Sequence, residues 1–192
     1  QANMENGNQA QTTRRRWLRF GLAERVLVLT IVFVMLAEIA IFVPSIANFR
    51  NNWLRDRLSA AYTAALVLEA APAASIPETI KQQLLSNVGA YTIALKMGGA
   101  RRMLAVSDMP PRVEERYDLR TATPWQAISA AFGTLTTRDN RVIGALGRAP
   151  MGGEFIEVTL REKPLRDAMY RYSRNILLLS LVISMIVAGM AM

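Results

Sequence analysis

The sequence predicts an α+β domain with an antiparallel sheet, held between two helices that cross a membrane. Two apolar runs indicate the membrane helices: residues 26–43, with one charged residue, and residues 176–192. About 18 apolar residues are the minimum that spans the hydrocarbon core of a bilayer as a helix. Between the runs lie roughly 130 residues of mixed composition, which is enough for one domain with its own core.

Four segments follow from this pattern. They are a disordered and basic arm (1–25), a first membrane helix (26–49), the intervening domain (50–175) and a second membrane helix (176–192), which we expect to be truncated at Met192. Basic residues just before the first run are Arg14, Arg15, Arg16, Arg19 and Arg25. The positive-inside rule therefore predicts that both termini are cytoplasmic and that the domain is extracytoplasmic.

An export signal is a second interpretation of the first run. The stretch TRRRWLR at residues 13–19 resembles a twin-arginine motif, and residues 45–47 (SIA) resemble a cleavage site. The apolar run is longer than the core of a signal peptide, and a second run follows it. We therefore favour an uncleaved anchor.

Composition excludes several kinds of chemistry. The chain has no cysteine and no histidine, which removes disulfides, thiol catalysis and the commonest metal ligands and acid–base groups. We expect no cofactor and no metal site. The net charge is +8, and about +6 of it lies in the domain. Beside a membrane, such a domain favours lipid phosphates or an anionic ligand over nucleic acid.

The first membrane helix is predicted to continue beyond the membrane as far as Ala71-Pro72. Apolar residues alternate at spacings of four and three, a heptad pattern: Leu54, Leu58, Ala61, Ala65 and Leu68. Two interpretations stay open. This face packs on the helix's own domain, or it forms the seam of a dimer.

Periodicity and turn residues predict the remaining elements. The expected helices are 77–87, one that Thr123 caps and Pro124 opens, and one that begins at Pro164 and runs into the second apolar run; the expected strands are 88–96, 101–106, 142–146 and 154–160. The helix at Pro124 places four apolar residues on one face: Trp125, Ile128, Phe132 and Leu135.

No catalytic motif is present, so the chain is not expected to be an enzyme. Glu114, Glu115 and Asp118 could form a paired-carboxylate or cation site. Arginines interleave with them in a segment flanked by proline, which favours a solvated charge patch instead.

The order of the segments and the stretch VFVMLAEIAIFVPSIANFR resemble the sensor half of alphaproteobacterial sensor histidine kinases. The resemblance implies a homodimer in the bacterial inner membrane, with a periplasmic PAS-like (PDC-type) sensor domain. The kinase core lies outside this chain, and a response regulator would be reached only through it.

A PAS-like domain implies a ligand against the sheet and a neighbouring helix. Candidates for binding a small anionic ligand are Tyr91, Arg101, Arg102, Arg120, Trp125 and Arg141. Arginine forks match the geometry of carboxylate and phosphate groups. The alternative is that the two aromatic residues belong to the core and the arginines to the surface.

Within the membrane, Glu38 is the most informative residue. A carboxylate near the middle of a span costs roughly 2.5–3.5 kcal/mol on insertion scales. We expect Glu38 to hydrogen-bond across a dimeric four-helix bundle, or else to extend toward the outer interface. Pro44 could kink this helix, and Ser180 and Ser184 lie on a small-residue face of the second span that permits close packing.

A second class of function stays open. The chain could be a membrane-anchored envelope protein that has a structural role or binds an envelope partner protein. The same layout would also suit the sensor of a chemoreceptor or of a cyclic-nucleotide signalling enzyme.

Overall fold

The computed structural model describes residues 22–70, 77–97, 100–106, 111–137, 140–149 and 154–191. The backbone divides into two compact units, Gln1–Ala40 and Ile41–Met192. The described part of the first unit is helical, and the second has a mixed α+β fold. In chain order the elements are α1 (Leu22–Ala70), α2 (Glu78–Val88), β1 (Ala90–Met97), β2 (Ala100–Val106), β3 (Glu115–Asp118), α3 (Pro124–Thr136), β4 (Val142–Gly147), β5 (Phe155–Arg161) and α4 (Glu162–Ala191).

The five strands form one sheet in the order β2-β1-β5-β4-β3. Neighbouring strands are antiparallel, except that β3 and β4 are parallel. The prediction of an antiparallel sheet is therefore wrong at this edge, where the sheet is mixed. Parallel neighbours need a long crossover connection, and α3 provides it between β3 and β4.

Sequence reasoning missed β3, because its residues were assigned to a charged patch. In this strand of four residues only Tyr117 is buried, while Glu115 and Arg116 are exposed. One buried position in four gives no readable alternation. The strand forms because its register with β4 places Tyr117 beside Ala145, in the core.

One face of the sheet carries the core. Register pairs Ile143 with Leu160 and Ala145 with Val158, and these four side chains are buried. Helices α1, α3 and α4 contact one another around this face. Residues joining α1 to the other two helices are Arg50 with Thr134 of α3, and Ser45 and Phe49 with Tyr172 of α4.

The heptad pattern of α1 belongs to the core of its own domain. All five residues of the pattern are buried within the chain: Leu54, Leu58, Ala61, Ala65 and Leu68. Of the two interpretations, the structure therefore supports packing on the domain, and this face is not available as the seam of a dimer. The described part of the helix extends to Ala70, and the predicted break at Ala71-Pro72 lies outside the described residues.

The start of α3 confirms the predicted cap, but its buried face differs from the prediction. Thr123 accepts from the backbone N–H of Gln126, whose side chain accepts from the backbone N–H of Thr123. Trp125, however, is 79% exposed and Phe132 is 41% exposed. The buried residues of α3 are the small ones, Ala127, Ala131 and Thr134, which allow the helix to pack closely.

Exposed apolar residues dominate two stretches of helix. Residues 24–41 of α1 are exposed, as are residues 177–179 and 181–186 of α4. Among the helices in the described ranges, one has a segment long and apolar enough to cross a membrane, Glu24–Leu68.

Replacing Gly147 tests how closely α1 packs on the sheet. A Cβ at this residue would lie 2.6 Å from Cδ1 of Leu58, which is buried. Overpacking of this kind costs about 1–3 kcal/mol, so we expect Gly147→Ala to lower the free energy of unfolding by that amount. Tryptophan fluorescence of the full chain in detergent, followed during urea unfolding, measures the change.

Gly133→Ala is the matched control. Among the described residues, no atom outside the chain neighbours and the backbone of α3 itself lies within 4 Å of a Cβ at Gly133. Alanine is favoured over glycine in a helix by roughly 0.5–1 kcal/mol, so this variant should be at least as stable as the parent. Equal stability of the two variants would contradict the proposed packing.

Candidate functional site

The residues predicted to bind an anion lie at separate places in the fold. Tyr91 on β1 accepts a hydrogen bond from Nε of Arg161, whose guanidinium lies 5.2 Å from the Tyr91 ring centroid. Trp125 is exposed on α3. Arg101 and Arg102 belong to β2, and their side chains lie outside the described residues.

Arg141 is engaged by two carboxylates. Its Nε lies 2.9 Å from Oε2 of Glu162 and its Nη2 lies 3.3 Å from Oε1, a bidentate pair. Its Nη1 lies 3.3 Å from Oε2 of Glu115. The hydrogen bond to Glu162 is the main cause that raises the pKa of Arg141. Arg141 is therefore held by the protein itself.

A second arginine, Arg50 of α1, is buried close to this pair. It is 2% exposed, its Nε donates to Oγ1 of Thr134 at 3.1 Å, and its Cζ lies 4.3 Å from the centroid of the Tyr117 ring. Within the described part of the chain, its Nη1 has no hydrogen-bond acceptor. Burial lowers the pKa of Arg50, and the nearby Tyr117, Glu115 and Glu162 oppose that shift.

These four charged residues form what we call the charge network: Arg50, Glu115, Arg141 and Glu162. Two cations and two anions balance one another where Glu162, itself 2% exposed, begins α4. Sequence reasoning missed Arg50 and Glu162. A signal for Arg50 was present, because it lies four residues before Leu54 and so on the apolar face of α1.

A cleft of about 430 Å³ opens between α1 and the segments that follow β3 and β4. We call it the arginine cleft. Its lining residues are Arg55, Leu58, Ser59, Leu119, Arg120, Gly147 and Arg148. Among the predicted ligand-binding residues, Arg120 lies here. Arg55 and Arg148 were missed, and their distance along the sequence gave no signal that they meet.

Asp118 fixes the position of Arg120 at the end of β3. Its Oδ1 accepts from the backbone N–H of Arg120 at 2.9 Å, the pattern of an Asx turn. Its carboxylate also accepts from Nε at 2.9 Å and from Nη2 at 2.6 Å. This hydrogen bonding lowers the pKa of Asp118 and raises the pKa of Arg120.

Two acidic side chains in the segment 114–118 pair with arginine in the same way. Glu115 contacts Arg141, and Asp118 contacts Arg120. The carboxylates of Glu115 and Asp118 thus act as partners for guanidinium groups, which gives no support to catalysis by these two residues.

The residues predicted to act in the membrane lie on α1 and α4. Glu38 belongs to the exposed apolar stretch of α1, and Pro44 lies inside the same helix. On α4, Ser180 is half-buried and Ser184 is exposed.

No protein-family model matches the chain, and neither a curated protein nor a solved structure matches it.

Removing Arg141 tests the charge network. Arg141→Ala leaves Glu162, with a side chain only 3% exposed, without its bidentate partner. Breaking a buried pair costs about 3–5 kcal/mol, and we expect a loss of about 3 kcal/mol in the free energy of unfolding because Arg141 is itself partly exposed. Urea unfolding in detergent measures it.

Arg112→Ala is the control, since Arg112 is exposed and ordinary surface changes stay within about 0.5 kcal/mol. If Arg141→Ala lowered the free energy of unfolding no more than Arg112→Ala does, the burial of Glu162 would not depend on its pairing with Arg141.

Proposed function

We propose that the chain is the stimulus-sensing and transmembrane signalling segment of a membrane receptor whose output is a histidine kinase. One observation carries the proposal. Each terminal helix combines an exposed apolar stretch with residues of the domain core. In α1 these are residues 24–41 and Leu54; in α4 they are residues 177–179 and 181–186, and Leu165.

The second membrane helix is part of the proposal. A helix that is apolar all round is stable when buried in protein or in lipid. The end of α4 has such a stretch exposed: Leu177, Leu178, Leu179, Leu181, Val182, Ile183, Met185 and Ile186. Apolar surface of this extent is rare on a soluble monomer, and lipid would cover it.

The basic arm favours an N-terminus on the cytoplasmic side of a bacterial inner membrane, with the domain in the periplasm. An α+β domain whose sheet is covered by the entering and leaving helices supports a PAS-like (PDC-type) sensor. A stimulus would shift α1 relative to α4 by binding one arrangement more tightly than the other, since only a difference in affinity moves such an equilibrium.

The kinase part lies outside these residues, because the chain has no histidine to accept a phosphoryl group. The reading frame that encodes the chain tests this point. A helix with a phosphoacceptor histidine beyond residue 192 supports the kinase. Another signalling domain there would keep the receptor and replace the kinase.

A membrane-anchored envelope protein is the second candidate function. The exposed aromatic side chains of Trp125 and Phe132 on α3 favour it, because exposed aromatic residues are typical of surfaces that bind a partner protein. A reading frame that stops shortly after residue 192 would support this candidate against the receptor.

Cysteine labelling tests the topology, because the chain has no cysteine of its own. Ser129→Cys and Asn140→Cys place a thiol at exposed residues of the domain, and Gln11→Cys places one in the arm. In spheroplasts, a membrane-impermeant maleimide should label the two domain variants. The arm should react only after the membrane is disrupted. The reverse pattern would overturn the proposed orientation.

Variants of Glu38 test the membrane dimer. Glu38→Gln keeps a hydrogen-bonding side chain, whereas Glu38→Leu removes it. Hydrogen bonds between membrane helices contribute about 1–2 kcal/mol in peptides, so the leucine variant should dimerise roughly tenfold more weakly in detergent. Analytical ultracentrifugation measures the dissociation constants. Equal values for the parent and both variants would exclude Glu38 from the dimer contact.

A further inference from the structure

We propose that the arginine cleft binds a small carboxylate or phosphate anion that carries at least two negative charges. This inference rests on the proposed sensory function, because it names the chemical class of the stimulus. The binding itself is independent of where the domain lies and of what the output is. It can therefore be measured separately.

The charge of the cleft is the first argument. Arg55, Arg120 and Arg148 line it, and none of its lining residues in the described part of the chain is acidic. Asp118 neutralises Arg120 from outside the lining. Among the described residues, Arg148 has no ion pair, and the hydrogen-bond partner of Arg55 is the neutral side chain of Asn52 at 3.3 Å. Two positive charges therefore remain for an anion to balance.

The geometry of Arg120 is the second argument. Asp118 occupies its Nε and Nη2, and within the described residues Nη1 donates to no acceptor. Its guanidinium also lies 5.1 Å from the centroid of the Phe155 ring. These contacts hold the side chain before a ligand arrives, which lowers the entropy lost on binding. The hydroxyl of Ser59 adds a neutral donor to the same cleft.

Size and surroundings limit the ligand. A volume of about 430 Å³ falls within the usual range for small-molecule sites. A neighbouring cleft shares Arg120 and Arg148 but is also lined by Glu154. Glu154 is paired with Lys96, whose Nζ lies 2.6 Å from its Oε2, so its charge is largely balanced. The arginine cleft adds a third arginine, Arg55, and the ligand should therefore lie toward α1.

The position of the three arginines connects binding to the proposed signalling. Arg55 belongs to α1, Arg120 follows β3, and Arg148 follows β4. An anion with at least two negative charges would bridge α1 and the edge of the sheet. It would thus favour the arrangement in which α1 lies closest to that edge.

Isothermal titration calorimetry of the full chain in a neutral detergent tests the proposal. Probes are succinate, citrate, inorganic phosphate and pyrophosphate, with acetate as the singly charged comparison and glycerol 3-phosphate as the lipid headgroup. A response to succinate or citrate assigns a carboxylate ligand. A response to phosphate or pyrophosphate assigns a free phosphate, and a preference for glycerol 3-phosphate assigns a headgroup.

Two variants with the same change in charge distinguish the cleft from general attraction. Arg148→Gln removes a cleft arginine, and Arg112→Gln removes an exposed arginine elsewhere. Because a hydrogen bond to a charged group adds substantially to the free energy of binding, Arg148→Gln should raise the dissociation constant by about tenfold or more. Arg112→Gln should change it less than about twofold.

Absence of binding by the five multiply charged probes at 10 mM, a concentration about ten times a 1 mM dissociation constant, would overturn the proposal. Equal affinity for acetate, or equal weakening by both variants, would also overturn it. Neither result would bear on the membrane topology, which cysteine labelling tests separately. If the labelling showed the opposite orientation, the cleft would remain an anion site, but for a cytoplasmic ligand.

Discussion

The buried guanidinium of Arg50 is the constraint on which the packing of α1 depends. A charge removed from water is stable only when other charges and hydrogen bonds compensate its desolvation. Thr134 of α3 and the Tyr117 ring of β3 contact Arg50 directly, and Glu115 and Glu162 balance its charge. α1 therefore occupies the one position at which all these partners meet. The hydrogen bond of Tyr117 to Oδ1 of Asn51, at 3.2 Å, fixes the neighbouring turn of the helix.

The same constraint links the two terminal helices. Glu162 is the first residue of α4, and Arg141 holds it in place immediately before β4. Farther along α4, Tyr172 stacks on Phe49 with ring centroids 4.3 Å apart, and its hydroxyl lies 2.7 Å from Oγ of Ser45. The core thus fixes α1 and α4 to each other through charge at one level and aromatic stacking at another. A displacement of either helix at one of these contacts would therefore also change the other contact.

The sequence predicted the features that neighbouring residues determine. It did not predict those that depend on contacts between residues distant in the chain. The cap of α3 was predictable because Thr123, Pro124 and Gln126 are neighbours. The heptad pattern of α1 showed that one face of the helix is buried. Periodicity does not identify the surface on which that face packs, which is the sheet. Trp125 was assigned to a buried face because it is large and apolar, whereas the contact needed small residues, Ala127 and Ala131. The arginine cleft unites Arg55 and Arg148, which no local pattern connects.

Arg50 and Arg55 lie five residues apart on one helix, and this spacing relates the core to the cleft. Arg50 faces the core, whereas Arg55 reaches the cleft. A displacement of α1 toward an anion in the cleft would move Arg50 with it. Intermediate positions would leave the buried guanidinium with fewer partners, at a cost of about 1–3 kcal/mol for each hydrogen bond lost. Packed interfaces of this kind favour two distinct arrangements over a continuous slide. Under the proposed function, burial of Arg50 would thus make α1 switch between two positions when a ligand binds, instead of moving gradually.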